Sequence, residues 1–206
     1  MLEKYYESAI SDAKESLFND GVIILPTDTV YGLACLYNSK VAIDRIYEMK
    51  KRVKDKPLPL LVNTFEMLEE VIDVDMEKIK KLSKYFPGPI TIVSKRRETF
   101  DYFNAKTIAV RMINVPLVNK IIESVNSPLC LTSANISNEP NVVDPVELID
   151  LFDGYIDCAF LDGKCKNSES TIIEIKENGD LVLLREGKVK FENILKEYNN
   201  VWGRKS

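Results

Sequence analysis

Apolar residues follow two different spacings along the chain, and these spacings predict its helices and strands. Where apolar residues recur every three to four positions, amphipathic helices are predicted. These segments are Glu3–Asn19, the stretch from Ser39 to Met49, Thr64–Val71, Met76–Phe86, Pro116–Val125, Pro145–Phe152 and Phe191–Tyr198. Short apolar or alternating runs predict strands instead. These runs are Val22–Leu25, Leu58–Val62, Ile90–Val93, Thr107–Arg111, Leu129–Leu131, Ile156–Leu161, Ser170–Ile175 and Leu181–Arg185.

Helices and strands alternate over the first part of the chain, whereas the last two strands follow one another directly. They are separated by Glu177-Asn178-Gly179-Asp180, and an Asn-Gly pair in that position is typical of an antiparallel hairpin. A hairpin joined to earlier α/β units favours a mixed sheet over a purely parallel one. The chain has 206 residues, 45% of them hydrophobic, and no internal repeat or flexible linker. We therefore expect a single α/β domain over residues 1–206.

The composition narrows the classes of function. The formal net charge is −4, which argues against a generally basic nucleic-acid binder. The sequence has no histidine and therefore lacks the usual general base and the commonest zinc ligand. Its four cysteines form no Cys-x-x-Cys pair, so we expect reduced core thiols. No apolar run approaches the roughly 20 residues of a membrane span, and the first residues do not resemble a signal peptide, so we expect a cytoplasmic protein without membrane contact.

Candidate chemistry begins where the strand Val22–Leu25 ends, in the polar stretch Pro26–Leu33. Hydroxyls, a carboxylate and a glycine after a buried strand are typical of a ligand site in an α/β protein. A cationic cluster follows at Lys50, Lys51, Arg52, Lys54 and Lys56. Such a cluster suits a polyanion, although cations in the last turn of a helix are more often a solvated helix end. The sequence has neither G-x-x-x-x-G-K-[ST] nor G-x-G-x-x-G, so side-chain cations would have to hold the phosphates of any bound nucleotide.

Two later strands also deliver polar side chains. Thr107 and Arg111 stand at the two ends of one predicted strand, on the same face. An arginine in that place can clamp a small carboxylate through its planar fork of donors, or it can pair with a nearby acid. After Leu129–Leu131 come Thr132-Ser133-Ala134-Asn135, which offer hydroxyls and an amide to a phosphate or ribose but could equally serve only the turn.

Three of these motifs together resemble the YrdC/TsaC family of threonylcarbamoyl-AMP synthases. They are PTDTVYGL at 26–33, Lys-x-Arg at Lys50 and Arg52, and Ser-x-Asn at Ser133 and Asn135, and the resemblance runs from about residue 2 to residue 190. The resemblance implies a YrdC/RibB-like α/β fold, with a twisted mixed sheet flanked by helices and a positively charged concave surface. It also implies that ATP, L-threonine and bicarbonate are converted to threonylcarbamoyl-AMP and diphosphate. The product would pass to a tRNA threonylcarbamoyl transferase complex, for N6-threonylcarbamoyladenosine formation at position 37 of tRNA.

The resemblance also implies roles for particular residues. Threonine is expected at Thr29, Arg111, Leu131 and Ser170. ATP is expected at Arg52, Lys56, Thr107, Ser133, Asn135, Asn141 and Arg185. Lys50 and Arg52 are expected to act in catalysis. Mg²⁺ would arrive with ATP, and no protein metal site is expected.

Two other functions are compatible with the same residues. One is a double-stranded RNA or tRNA-binding module without catalysis, because a cationic concavity can hold a nucleic-acid backbone through its phosphates. Weak RNA or tRNA binding could also accompany the synthase activity. The other is carbamoyl-adenylate formation, as in related domains of hydrogenase-maturation proteins, which are parts of much larger chains with zinc modules.

Overall fold

In a computed structural model, the chain forms one sheet with helices packed on both faces. The structure describes residues 2–54, 57–103, 105–161, 163, 165 and 168–199, with side chains from residue 6 onward. The helices are α1 Leu2–Phe18, α2 Lys40–Met49, α3 Phe65–Val71, α4 Met76–Lys80, α5 Pro116–Val125, α6 Pro145–Phe152 and α7 Phe191–Asn199. The strands are β1 Ile23–Leu25, β2 Gly32–Leu36, β3 Leu60–Val62, β4 Ile90–Lys95, β5 Thr107–Met112, β6 Leu129–Ser133, β7 Cys158–Ala159, β8 Thr171–Ile175 and β9 Leu181–Arg185.

The nine described strands lie in the order β7-β1-β2-β6-β3-β5-β4-β8-β9. The pairs β1/β7, β3/β5 and β4/β8 are parallel, and the other pairs are antiparallel. The predicted mixed sheet is therefore confirmed. The predicted last hairpin is β8/β9, with Gly179 in the left-handed region at φ +85° in its turn.

The two faces of the sheet bury separate hydrophobic cores. In β1, Ile24 belongs to one core, whereas its neighbours Ile23 and Leu25 belong to the other, as expected when a strand is buried on both sides. The smaller core receives Leu17 of α1 and Ile121 of α5. These two helices therefore cover the half of that face that is formed by β1, β2, β6 and β3.

The other half of the same face carries polar side chains in register with the buried ones. Leu61 of β3, which belongs to the smaller core, is paired with Arg111 of β5, and Arg111 is paired with Thr91 of β4. Directly opposed residues share a face of the sheet. The polar residues of β5 and β4 therefore continue the surface of the smaller core beyond the edge of α5, and a cavity lies there.

The helices α5 and α6 and the strand β9 have the predicted bounds, and the hydroxyls of Ser39 and Thr64 cap α2 and α3. The pattern of the sequence predicts no strand at β2. All five residues of β2 are buried, so the run has no alternation, and it directly follows the polar stretch Pro26–Tyr31. The strand also begins with a glycine, and glycine is depleted in strands. A short strand can therefore be hidden when it begins inside a polar loop.

Two other predicted elements are shorter in the structure by more than three residues. The helix expected over Met76–Phe86 ends at Lys80, because the backbone then tightens into turns such as Tyr85 N to Leu82 O at 2.8 Å. The strand expected over Ile156–Leu161 is regular only at β7, although Asp157 and Phe160 still donate backbone hydrogen bonds to the β1 side. Among the described helices, none is both long and apolar enough to span a bilayer.

Candidate functional site

A cavity of about 580 Å³ lies on the half of the sheet that α1 and α5 leave open. Its floor consists of side chains from β5, β4, β8 and β9 that share one face: Thr107, Ala109, Arg111, Thr91, Val93, Ile172, Leu184 and Arg185. Its walls come from the loop before β2, the segment after α2 and the end of β6, which contribute Thr29, Arg52 and Ser133 respectively. The sheet therefore brings segments from widely separated parts of the sequence to one cavity.

Most of the residues predicted from the sequence meet in this cavity. Those that line it are Thr29, Arg52, Thr107, Arg111, Leu131, Ser133, Asn141, Ser170 and Arg185. Lys50 and Asn135 lie instead in an adjoining pocket of about 420 Å³ that shares Arg52 and Ser133 with the main cavity. Lys56 lies outside the described residues. The individual ligand roles stay predictions, but the grouping of these side chains is a property of the fold.

Arg111 is held by groups from the PTDT stretch. Its Nη2 donates to Asp28 Oδ1 at 2.5 Å and to Thr29 Oγ1 at 2.9 Å. Both alternatives drawn from the sequence are thus compatible with the structure, because Arg111 pairs with an acid and also lines the cavity. Desolvation lowers the pKa of Arg111, and the Asp28 carboxylate opposes that shift. Among the described residues, Arg111 Nε and Asp28 Oδ2 are buried and have no hydrogen-bond partner.

The loop that carries Asp28 and Thr29 is shaped by Thr27. Its hydroxyl accepts from the backbone N–H of Thr29 and of Val30, each at 3.1 Å, and donates to Val30 O at 2.5 Å. Such a local side-chain turn fixes the direction in which the neighbouring hydroxyl and carboxylate leave the backbone. At the end of the loop, a Cβ on Gly32 would lie 2.5 Å from Leu131 Cδ1 and 3.2 Å from Thr132 O, so a larger residue would require the Leu131 side chain to move.

The residue Arg52 is delivered by the C-terminus of α2. Lys51 has φ +50°, and the bonds Lys51 N to Glu48 O and Arg52 N to Tyr47 O, both 2.9 Å, form a Schellman motif that reverses the chain. The guanidinium of Arg52 lies over the Tyr47 ring, 5.9 Å from its centroid. In the described part of the chain, no carboxylate pairs with Arg52 and none of its side-chain nitrogens makes a hydrogen bond. Its donors are therefore available to an anion in either pocket.

The Lys50 ammonium is buried between α2 and the end of β6. It donates to Ser133 O, to Asn135 O at 2.7 Å and to Asn135 Oδ1 at 3.1 Å. Desolvation, with a contribution from the neighbouring Arg52 charge, lowers the pKa of Lys50 to about 8. Three acceptors match the three N–H donors of an ammonium group. The geometry thus gives Lys50 a positioning role in the Ser-x-Asn segment, and its part in catalysis stays a prediction.

Arg185 lines the cavity from β9, the edge strand of the sheet, and its side chain is partly exposed. Its Nη1 is 3.2 Å from Glu169 Oε1, and its Nη2 donates to Ser170 O at 3.0 Å. A β-bulge in the pairing of β8 with β9 lies beside it, between Ile172 and Ile173. The described lining of the cavity thus contains three arginines and one glutamate. This excess of cations is local, and a positively charged concave surface as a whole stays a prediction.

Among the lining residues that were not expected from the sequence, two carry hydroxyl groups on the cavity. Thr91 lies on the floor between Arg111 and Ser170, and Ser168 has a buried hydroxyl without a hydrogen-bond partner among the described residues. Thr91 interrupts the apolar run of β4 with a hydroxyl. A polar residue at a buried strand position is the signal that could have identified it.

Comparison with known proteins connects this geometry to a family. The family model Sua5_yciO_yrdC, described as "Telomere recombination", matches residues 15–187. The threonylcarbamoyl-AMP synthase of Pyrococcus abyssi is 35% identical over 180 residues, which make up 85% of this chain and 53% of that protein. The enzyme of the same name from an Enterobacter species is 33% identical over 162 residues, or 75% of this chain and 85% of its own length.

A solved structure shows the same fold with a ligand. The crystal structure of P. abyssi Sua5 complexed with L-threonine has a TM-score of 0.83 and 32% sequence identity, and the match covers 91% of this chain and 56% of that one. This chain therefore spans about half the length of the P. abyssi protein. The similarity extends over nearly all of the α/β domain, including the strands that form the cavity.

Proposed function

The chain belongs to the Sua5/YciO/YrdC family, and from this premise we propose that it is an L-threonylcarbamoyladenylate synthase, a nucleotidyltransferase that uses L-threonine, bicarbonate and ATP. The main support for the proposal is that one cavity is lined both by residues expected to bind threonine and by residues expected to bind ATP. Arg111 and Ser170, expected at threonine, line the same cavity as Arg52 and Ser133, expected at ATP. A site for two substrates that react with each other requires this proximity.

The proposed reaction has two steps whose atoms balance. The threonine amine and bicarbonate give the N-carbamate and water. A carbamate oxygen then attacks the α-phosphorus of ATP, and an O–P bond forms as the bond from that phosphorus to the β-phosphate oxygen breaks and diphosphate leaves. The carbamate is already an anion, so its attack needs no general base, which suits a chain without histidine.

The protein's contribution would be positioning and charge neutralisation. Arg52, whose guanidinium has no competing carboxylate among the described residues, is placed to meet the phosphates, where charge moves toward the leaving diphosphate. Arg111 can offer its fork of donors to the threonine carboxylate. The described residues contain no cluster of three or more His, Cys, Asp or Glu side chains that could hold a metal. Mg²⁺ would accordingly enter with ATP and neutralise phosphate charge there.

We extend the proposal to the use of the product. A mixed anhydride such as threonylcarbamoyl-AMP is an activated acyl donor, so a transferase must accept the threonylcarbamoyl group. In the proposed pathway, a tRNA threonylcarbamoyl transferase complex places that group on adenosine 37. A cytoplasmic location would bring the enzyme to this partner and to its substrates.

The experiment is a diphosphate-release assay with purified protein, ATP and Mg²⁺, in which threonine or bicarbonate is omitted in turn. We expect release only when both are present. Equal release without threonine would contradict the synthase, and a requirement for carbamoyl phosphate would favour carbamoyl-adenylate chemistry instead. Tight, salt-sensitive binding of duplex RNA that ATP does not displace, with no diphosphate release, would favour the RNA-binding module.

A further inference from the structure

Thr91 lies between two residues expected to hold threonine. On the floor of the cavity, Thr91 of β4 is directly opposite Arg111 of β5, and on its other side it faces the start of β8. Its hydroxyl is 2.9 Å from the hydroxyl of Ser170. Both side chains are buried, with Thr91 5% and Ser170 7% exposed, and both line the cavity. Thr91 thus contacts Arg111's strand on one side and Ser170, the residue just before β8, on the other.

The neighbours of Ser170 restrict how its hydroxyl can hydrogen-bond. Arg185 Nη2 lies 3.4 Å from Ser170 Oγ, and an arginine can only donate. A hydroxyl has two acceptor lone pairs and one donor hydrogen. If Thr91 donates to Ser170, both lone pairs face donors and the Ser170 hydrogen is left to point into the cavity. If Ser170 donates to Thr91 instead, no hydrogen of Ser170 remains for a ligand.

We propose that Thr91 is a positioning residue that orients the Ser170 hydroxyl as a hydrogen-bond donor to an acceptor oxygen of the amino-acid substrate. The inference rests on the proposed function, since it takes threonine as the ligand at this end of the cavity. A carboxylate accepts hydrogen bonds and cannot donate them. A serine hydroxyl that is fixed as a donor therefore favours the anionic end of an amino acid.

The test removes the Thr91 hydroxyl while keeping the shape of the side chain. Thr91→Val should raise the threonine KM about three- to ten-fold, the range expected for one lost neutral hydrogen bond, with kcat and the calorimetric Kd for ATP little changed. Thr91→Ser restores a hydroxyl and should recover most of the wild-type KM. Ser94→Ala is the matched control, because Ser94 is a buried hydroxyl residue on the same strand that does not line the cavity.

A double-mutant cycle with Ser170→Ala separates this role from general packing. If Thr91 acts through Ser170, the threonine KM of the double variant should equal that of Ser170→Ala alone. Additive effects, a wild-type KM in Thr91→Val, or a parallel increase in the KM for ATP would overturn the inference. If Thr91→Val does not fold, two other variants test the inference. Thr91→Ser must have a threonine KM close to that of wild type, and Ser170→Ala must have a raised threonine KM. Failure of the proposed function is distinct, because wild-type protein would then show no threonine-dependent diphosphate release.

Discussion

Replacing Lys50 by methionine tests whether its buried ammonium holds the end of β6 in place. Met keeps a long unbranched side chain but cannot donate to the three carbonyl oxygens that Lys50 contacts. Ser133 O keeps the Asn135 N–H as a donor at 3.0 Å, and Asn135 Oδ1 keeps the Ser133 hydroxyl at 2.6 Å. Asn135 O is left without a donor among the described residues. The loss of the hydrogen bond to Asn135 O is therefore the largest single contribution to the decrease in the free energy of unfolding.

The magnitude follows from these contacts. A buried carbonyl left without a partner costs about 1–3 kcal/mol, and losing a charged donor at the other two oxygens adds about 1 kcal/mol. Methionine also removes the cost of burying the Lys50 charge, so we expect Lys50→Met to lower the free energy of unfolding by about 2–4 kcal/mol at pH 9.5, where Lys50 is mostly uncharged, and by less at pH 7. For a chain of this size, that change lowers Tm by about 5–15 °C. The neighbouring Lys51→Met removes an exposed ammonium and should change the free energy of unfolding by less than about 0.5 kcal/mol.

The assay is urea denaturation of wild type, Lys50→Met and Lys51→Met without ligands, repeated at pH 7 and pH 9.5. The pKa of Lys50 is about 8 in the folded protein and has its usual value of 10.5 when exposed. Between these values the unfolded chain binds more protons, so the stability of wild type relative to Lys50→Met should rise with pH, by about 1–3 kcal/mol. Equal stabilities of Lys50→Met and Lys51→Met, or a difference that shrinks at pH 9.5, would refute the positioning role.

Three further predictions concern the two ends of the cavity. Arg52→Ala should weaken ATP binding in calorimetry and also lower kcat, since charge moves toward the diphosphate in the transition state, and a change confined to the threonine KM would contradict this. Arg111→Lys keeps the charge but loses the planar fork, so steady-state kinetics should show a raised threonine KM while ATP binding without threonine is unchanged. Loss of ATP binding in Arg111→Lys would mean that the assignment of ATP and threonine to the two ends of the cavity is reversed. Serine should be accepted in place of threonine, with kcat/KM reduced about 10- to 200-fold, because the two amino acids differ by one methyl group. A larger reduction in steady-state kinetics would contradict a pocket that selects threonine only through that methyl group.

Most of the fold could be predicted because its elements carry strong local signals. The amphipathic spacing and the first-turn proline of Pro116–Val125, and the Asn-Gly turn before Leu181–Arg185, gave correct bounds. The strand β2 could not be predicted, because its first residues, Gly32 and Leu33, belong to the polar stretch Pro26–Leu33 and glycine is depleted in strands. Its pairing with β6 depends on contacts between distant residues, which no short sequence window contains.

The grouping of the site residues was predicted better than their contacts. The family resemblance implied that Thr29, Arg111 and Ser170 share one site; all three line the cavity, and their roles stay predictions. The sequence could not show that Asp28 pairs with Arg111, since the two are far apart in the chain and meet only across the assembled sheet. Likewise, the burial of Lys50 against three carbonyl oxygens depends on how α2 packs beside β6. A cation in the last turn of a helix looks the same in sequence whether it is solvated or buried.

The proposed reaction joins the bicarbonate carbon, threonine and AMP in one product. Mass spectrometry of a reaction containing ATP, Mg²⁺, L-threonine and ¹³C-bicarbonate tests it most directly. We expect a threonylcarbamoyl adenylate whose mass rises by one unit with the labelled bicarbonate, and which is absent when threonine is omitted. Threonyl-AMP without the added carbon, or an adenylate whose mass is insensitive to the label under carbon-dioxide-free conditions, would contradict the claim.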